Sequence, residues 1–480
     1  MSDFGRTGPV NTFGRTGLVS ASGRTEPVDT SGRTEPVDTS GRTEPVNTTS
    51  LTGPANTTGH TEPANTTTQT STNSPSSARS SHPAAAAPSR IGRTDRGPDA
   101  ATSPSPSPAP DWAGPALDSL LARVARTRAE VGTRFPLFAD PEDGRWTTTG
   151  RGSWTGGFWA GLLWLRARRS GEHGDRAAAR DCAERLAPWI DADTATRGLI
   201  LWYGTAFADG ADRDALAPLR LRAARSCRGA FDERLGLVPW GSAFGGPRLL
   251  ARVDGVPGLV PLLALVDPDA ARSHLRTHVE LCLGQRPFHW AWRREEGERW
   301  APCAEPPPGW GRGPAWLLLA LADARHALGE SGTGDLTSAV RELTPSVLVP
   351  AADAADRPDD LSAPESPSVP GIPGDPGGPD TPRGPDRPLD TSAAAITALA
   401  LLKLGEHEYG HGHGHGHERE RAVAVLERLV HRHLTDDGRL LDGCYDLGSA
   451  TAVRHELIWG DFFLAHALAV LTGLVGPHEA

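Results

Sequence analysis

Lysine, methionine and tyrosine are almost missing from this chain. Lys403 is the only lysine, and 480 residues hold 1 Met and 3 Tyr. Basic character therefore rests on arginine, which we read as the codon bias of a GC-rich genome rather than as phosphate recognition. The formal net charge is −10, which argues against a nucleic-acid partner. The 5 cysteines, at 182, 227, 282, 303 and 444, are scattered and form no CxxC. Neither a disulfide framework nor a zinc knuckle is expected, and a reducing cytoplasm fits best. No apolar run reaches the roughly 18 residues needed to span a bilayer, so no membrane partner is expected. The first residues, MSDFGRTGPV, lack the basic and apolar regions of a secretory signal. No P-loop, GxSxG, HExxH or GxGxxG in proper context is present, and no cofactor is expected.

What is present divides the chain into two materials. All 14 tryptophans lie between Trp112 and Trp459, and the first 111 residues have none. Gly and Pro together make about a fifth of the chain, too much for one evenly compact domain. In the N-terminal part a nine-residue unit recurs, as GRTGPVNTF at 5, GRTEPVDTS at 23 and 32, and GRTEPVNTT at 41. Such a unit buries too little apolar surface to offset its ordering entropy, so residues 1–111 are expected to be a disordered tail. Residues 350–389 form a second segment rich in Pro, Gly and Asp, expected to be a disordered loop.

From Ala113 onward the pattern turns helical. In PALDSLLARVAR, Leu117, Leu120, Leu121 and Val124 recur at i, i+3, i+4 and i+7. Eleven similar stripes follow, near 156–170, 175–188, 198–208, 212–229, 256–267, 268–284, 313–329, 333–347, 391–405, 418–433 and 459–473. Almost nothing alternates with period two, so a sheet-based core is not expected. Twelve helices with short connections suggest an all-α toroid of helical hairpins over 112–475, or alternatively an open α-solenoid.

Four clusters mark helix starts, three of which join tryptophan and glycine to a polar residue. They are Trp154-Thr155-Gly156-Gly157, Trp310-Gly311-Arg312-Gly313-Pro314-Ala315-Trp316, Asp390-Thr391-Ser392, and Trp459-Gly460-Asp461. Singly, each reads as a capped, core-closing helix start. Gathered at one end of a toroid, they would build a pocket. Indole faces stack on sugar rings and Arg pairs with carboxylates, so an acidic sugar is the natural ligand. Asp254 precedes the apolar run PGLVPLLALV. It is either an N-cap or a carboxyl whose pKa is raised by an apolar, aromatic pocket, able to deliver a proton near neutral pH. His289, between Phe288 and Trp290, is a second proton carrier or a core histidine. The tract HGHGHGH at 411–417 would bind divalent metals weakly and without fixed geometry. No metal is assigned to the site.

The segments WTGGFWAGLLWL, WGRGPAW, DTSAAAITALALLKL and WGDFFLAHAL, in this order, resemble the unsaturated glucuronyl hydrolases, glycoside hydrolase family 88. The resemblance spans about residues 112–475. It implies an (α/α)6 barrel and a short acidic oligosaccharide with a 4,5-unsaturated uronic acid at its non-reducing end. It implies hydrolysis begun by protonation and hydration of the C4=C5 double bond. By this resemblance Asp254 is the proton donor, and His289 is one of the residues that line the substrate pocket. Trp154, Trp240, Trp310, Arg312 and Trp316 line the substrate pocket, and Arg312 lies near the uronate carboxylate. The chain also departs from the family. The second Asp of its His-Asp-x-Gly-Phe motif is Thr196, although Asp191 and Asp193 lie just upstream. Pro314 replaces a Gln, and Gly255 and Gly258 replace Asn residues. The alternative is therefore an inactive relative that binds a sugar or a protein.

Overall fold

The structure, a computed structural model that describes residues 109–295, 299–329, 337–353, 387–406 and 417–480, contains two kinds of helix. The repeat tail before Ala109, most of the 350–389 segment, and residues 411–416 of the His/Gly tract lie outside the described residues. Helices α1 (Ala113–Val131), α3 (His173–Glu184), α4 (Gly210–Ala230), α6 (Pro268–Leu283) and α10 (His417–Arg432) bury one stripe each. In α10 that stripe is Ala422, Val425, Leu426 and Leu429, the spacing of a single apolar face. Helices α2 (Gly156–Ser170), α7 (Arg312–Leu328), α9 (Thr391–Glu406) and α11 (Ile458–Leu471) are buried nearly all round. A helix apolar on every side must lie inside. The short α5 (Leu259–Ala264) belongs with them, and α8 (Thr337–Leu343) packs on α7.

The inner helices touch in sequence: α2 with α11, α11 with α9, α9 with α7, and α7 with α5. Between α5 and α2 stands a five-residue π-helical segment, Gly198–Trp202, which contacts both. The one-stripe helices back them: α1 on α2 and α11, α3 on α2, α4 and α6 on α5, α10 on α9. Two of the expected helical stripes shorten at this point. The 198–208 stripe supplies only the π segment, and 256–267 supplies only α5. Both are squeezed by close backbone approach. A Cβ on Gly198 would lie 2.1 Å from the Leu259 nitrogen.

Seven short strands were not expected. One antiparallel sheet has the order β2 (Trp146–Thr149), β1 (Phe135–Ala139), β7 (Thr451–Leu457), β6 (Gly443–Asp446). The other runs β3 (Leu250–Arg252), β4 (Ala291–Arg294), β5 (Trp300–Pro302), with Leu250 opposite Arg293 and Arg252 opposite Ala291. Strands of three to seven residues are too short to show a period of two. Their placement explains their use. β7 runs directly into α11, β3 leads through a turn of 3₁₀ helix (Val253–Gly255) toward α5, and β2 leads through another (Ser153–Thr155) into α2. The sheets deliver the chain to the N-terminal ends of inner helices, where the tryptophan clusters lie.

Candidate functional site

Asp254 occupies the middle of the 3₁₀ turn that follows β3 and is 6% exposed. It caps no helix, since α5 begins after Gly258, whose φ of 69° only glycine adopts readily. Its carboxylate accepts from Arg252 Nε at 2.9 and 3.2 Å. Burial raises its pKa, and the Arg252 and Arg312 guanidiniums pull the other way. Arg252 is itself buried, its guanidinium carbon 5.1 Å from the Trp240 ring and 5.8 Å from the Trp310 ring. Trp240 is held by backbone bonds to Leu250 and Ala195. The charged pair therefore sits against two indole faces, and sequence reading missed Arg252 altogether. An Arg two residues before the acid along a short strand was the available signal.

His289 follows from the same sheet. Val253 N–H donates to Trp290 C=O at 2.9 Å, extending the β3–β4 register by one step. Asp254 follows in the 3₁₀ turn Val253–Gly255, and His289 directly precedes Trp290 in the chain. Its Nδ1 is buried without a partner, and its ring meets Trp292 edge-on at 5.8 Å. Trp290 closes the core instead. Its indole packs where a Cβ on Gly313 would fall 2.3 Å from ring carbon, which is why the first turn of α7 needs glycine there.

Arg312 opens α7 and lies 5.0 Å from the Trp310 ring and 5.6 Å from the Trp459 ring. Both of its terminal nitrogens are engaged. Nη1 pairs with Asp390 and the Cys444 carbonyl, and Nη2 donates to the Tyr445 carbonyl at 2.6 Å. Asp390 serves twice, since its other oxygen accepts from Ser392 and Ala393 N–H at 3.2 and 3.4 Å and so caps α9. Ser392 Oγ in turn accepts from Trp459 Nε1 at 2.9 Å. Trp154 packs 4.9 Å from Trp459 and 6.3 Å from Tyr445. So the structure joins Trp154, Trp310 and Arg312 to Trp240 and Asp254 through one continuous aromatic and charged cluster. Trp316 lies behind it, against Phe158, whose ring is 6.2 Å from Trp154. Fully buried, it stacks on Phe158 at 6.4 Å and meets Phe463 at 5.6 Å, in the core between α2 and α11.

Thr196 is buried and bonded to Thr194 at 2.9 Å, in the segment that touches Gly255 through Ala195. Asp191 is exposed. Asp193 is turned to Ser242 and to Arg248 Nε at 3.0 Å; desolvation is the largest single influence on its pKa and raises it, but these contacts together outweigh it and leave the pKa lowered. A further carboxylate, Glu305, shares the field of Arg252. Burial and the neighbouring Asp446 and Asp353 raise its pKa. A cavity of about 450 Å³ is lined by Arg151, Arg185, Trp189 and Ala243, and none of the cluster residues lines it. Among the described residues no helix is long and apolar enough to cross a membrane.

No family model matches the sequence, and no curated protein matches it. Solved structures do match the fold. The unsaturated glucuronyl hydrolase of Bacillus sp. GL1, described as responsible for the degradation of glycosaminoglycan, superimposes with TM-score 0.61 at 20% identity, over 75% of this chain and 96% of that one. An unsaturated glucuronyl hydrolase specific for heparin gives TM-score 0.60 at 17% identity, over 76% and 97%. A mutant enzyme of the same kind from Streptococcus agalactiae, complexed with dGlcA-GalNAc6S, gives TM-score 0.56 at 15% identity, over 75% and 91%. The chain therefore has the fold of the unsaturated glucuronyl hydrolases across nearly all of its tryptophan-bearing part.

Proposed function

We propose that this protein is a glycoside hydrolase of the unsaturated glucuronyl type. It acts on short acidic oligosaccharides with a 4,5-unsaturated uronic acid at the non-reducing end. The helix contacts support an (α/α)6 barrel, with five helices and the π segment inside and six helices outside. The observation that carries the function is the buried Asp254 carboxyl, raised by desolvation and set with Arg252 against Trp240 and Trp310. In the acid form it protonates the C4=C5 double bond. Water adds to the other carbon, and the hydrated sugar then opens and releases its partner. We assign to His289 the orienting of that water, a role supported by its buried, unpartnered Nδ1. The indoles of Trp154, Trp240 and Trp310 supply apolar faces for the sugar. We assign the protein to the cytoplasm.

Incubation with a panel of unsaturated disaccharides tests this reading, through loss of the double bond's ultraviolet absorbance. No loss for any member at high protein concentration would overturn it. A second reading is an inactive sugar-binding relative, favoured by Thr196 in the place of the family's second Asp and by the engagement of Asp193 with Ser242 and Arg248. Binding of the same disaccharides without turnover would establish it.

A further inference from the structure

We propose that Arg252, not Arg312, holds the uronate carboxylate, through a terminal nitrogen that the fold leaves buried and unpartnered, and that this contact releases the same guanidinium's grip on Asp254. The inference rests on the functional reading above, because the carboxylate it names belongs to that substrate.

Arg252 is 4% exposed, and its Nη2 has no hydrogen-bond partner. Leaving a buried charged donor unmade costs more than the usual 1–3 kcal/mol of a neutral group, so such a donor marks a place where a ligand completes the bonding. Its plane is fixed by the Trp240 and Trp310 rings, and its Nε is fixed by Asp254. A rigid guanidinium with one free edge suits a planar anion better than a flexible ammonium would. Arg312, the residue that family resemblance favours, has both terminal nitrogens bonded to Asp390 and to the carbonyls of Cys444 and Tyr445. Its geometry is that of a brace between α7, α9 and β6.

The coupling follows from shared charge. In the free protein Arg252 offsets part of the burial that raises Asp254. An anion on Nη2 neutralises that help, so Asp254 holds its proton more firmly when substrate is bound. The other groups facing the pair are Arg312 from α7, which also favours the carboxylate, and Cys282 from α6, whose buried thiol is raised and stays neutral. Glu305, next to Asp446 and Asp353, acts on Arg252 from the loop after β5. Binding of the acidic sugar therefore draws a proton from solvent onto Asp254.

The test compares an unsaturated uronyl disaccharide with its methyl ester, which keeps the double bond and loses the charge. Binding is read by tryptophan fluorescence, and proton uptake by calorimetry in two buffers of different ionisation enthalpy. The wild type is expected to bind the acid about 10- to 100-fold more tightly than the ester, the range of a charge-assisted hydrogen bond. Proton uptake should accompany the acid only. Arg252→Gln, which keeps a donor for Asp254 but removes Nη2, should reduce the preference to below about 3-fold. Arg252→Lys, the fallback if that variant is unfolded, should do the same, and Arg312→Lys should leave the preference in place. A wild type without preference or proton uptake overturns the inference, and so does loss of preference in Arg312→Lys alone. Turnover without preference defeats this inference only. Preference without turnover defeats the hydrolase reading only.

Discussion

Two buried arginine–carboxylate pairs flank Trp310, and they are finished to different degrees. Arg312 and Asp390 form a closed unit. The guanidinium ends on a carboxylate and two carbonyls, and the carboxylate also caps α9. Arg252 and Asp254 form an open one, joined through Nε alone, with the buried Nη2 left over. A closed pair spends its bonding capacity on holding elements together. An open pair in the same surroundings carries an uncompensated cost, which is the mark of a site that works on something else. The same buried chemistry thus separates into brace and tool by counting which donors are used.

The comparison breaks most sharply at Asp254. Asp254→Asn keeps an acceptor for Arg252 Nε but has no proton to give, so turnover of an unsaturated disaccharide should fall by about 10²- to 10⁴-fold with melting unchanged. Activity within about threefold of wild type would remove Asp254 from the chemistry, since general acid catalysis is worth far more than that. At the closed pair the effect should move to stability. Asp390→Ala strands the buried Arg312 charge and uncaps α9, which should cost about 3–5 kcal/mol of unfolding free energy in urea. A loss of activity with stability intact would show that Arg312 and Asp390 are not a brace.

How much of this was legible depended on length scale. The helices were readable because an apolar stripe over fifteen residues leaves a period, and α1, α2, α7, α9, α10 and α11 begin and end close to the expected positions. The strands were not, because β3 and β5 are only three residues long. That hid Arg252, whose place beside Asp254 is set by a strand and a turn. Tryptophan helped with Trp154, Trp240 and Trp310, which do meet in one cluster. It misled at Trp316, because a tryptophan one turn into a fully buried helix points into the core, and residue type alone does not tell ring edge from ring lining.

A smaller effect separates packing from chemistry at the start of α7. Gly313→Ala would push a methyl group into the Trp290 ring. Overpacking of that kind costs about 1–3 kcal/mol. Because Trp290 adjoins both His289 and Val253, the variant should also lower turnover, while the equally helical Ala315→Gly should not change the β3–β4 side. Thermal melting with parallel rate measurements checks both, and an unchanged Gly313→Ala would mean that Trp290 has slack.

The gentlest test uses a third buried cluster as the control for the open pair. Arg123 bonds both oxygens of Glu456 at 2.8 and 2.9 Å, while Asp461, at the start of α11, is raised well above the ordinary carboxyl range by burial and then by Glu456. Burial raises Glu456 as well, but the Arg123 guanidinium pulls it back, so of the two Asp461 holds the proton more firmly. An Asp with a folded pKa above its unfolded value, about 3.9, keeps a proton that the unfolded chain releases, so stability must fall as pH rises between the two. The slope approaches about 1.4 kcal/mol per pH unit where the difference is one whole proton. Asp461→Asn keeps a neutral donor for Glu456 and removes the titration. Its urea midpoint should therefore track wild type at about pH 4 and exceed it increasingly toward about pH 8. Parallel curves would mean that Asp461 is ionised in the folded protein. The inference that burial beside a paired carboxylate suffices to keep a carboxyl protonated would then fail where its geometry is clearest.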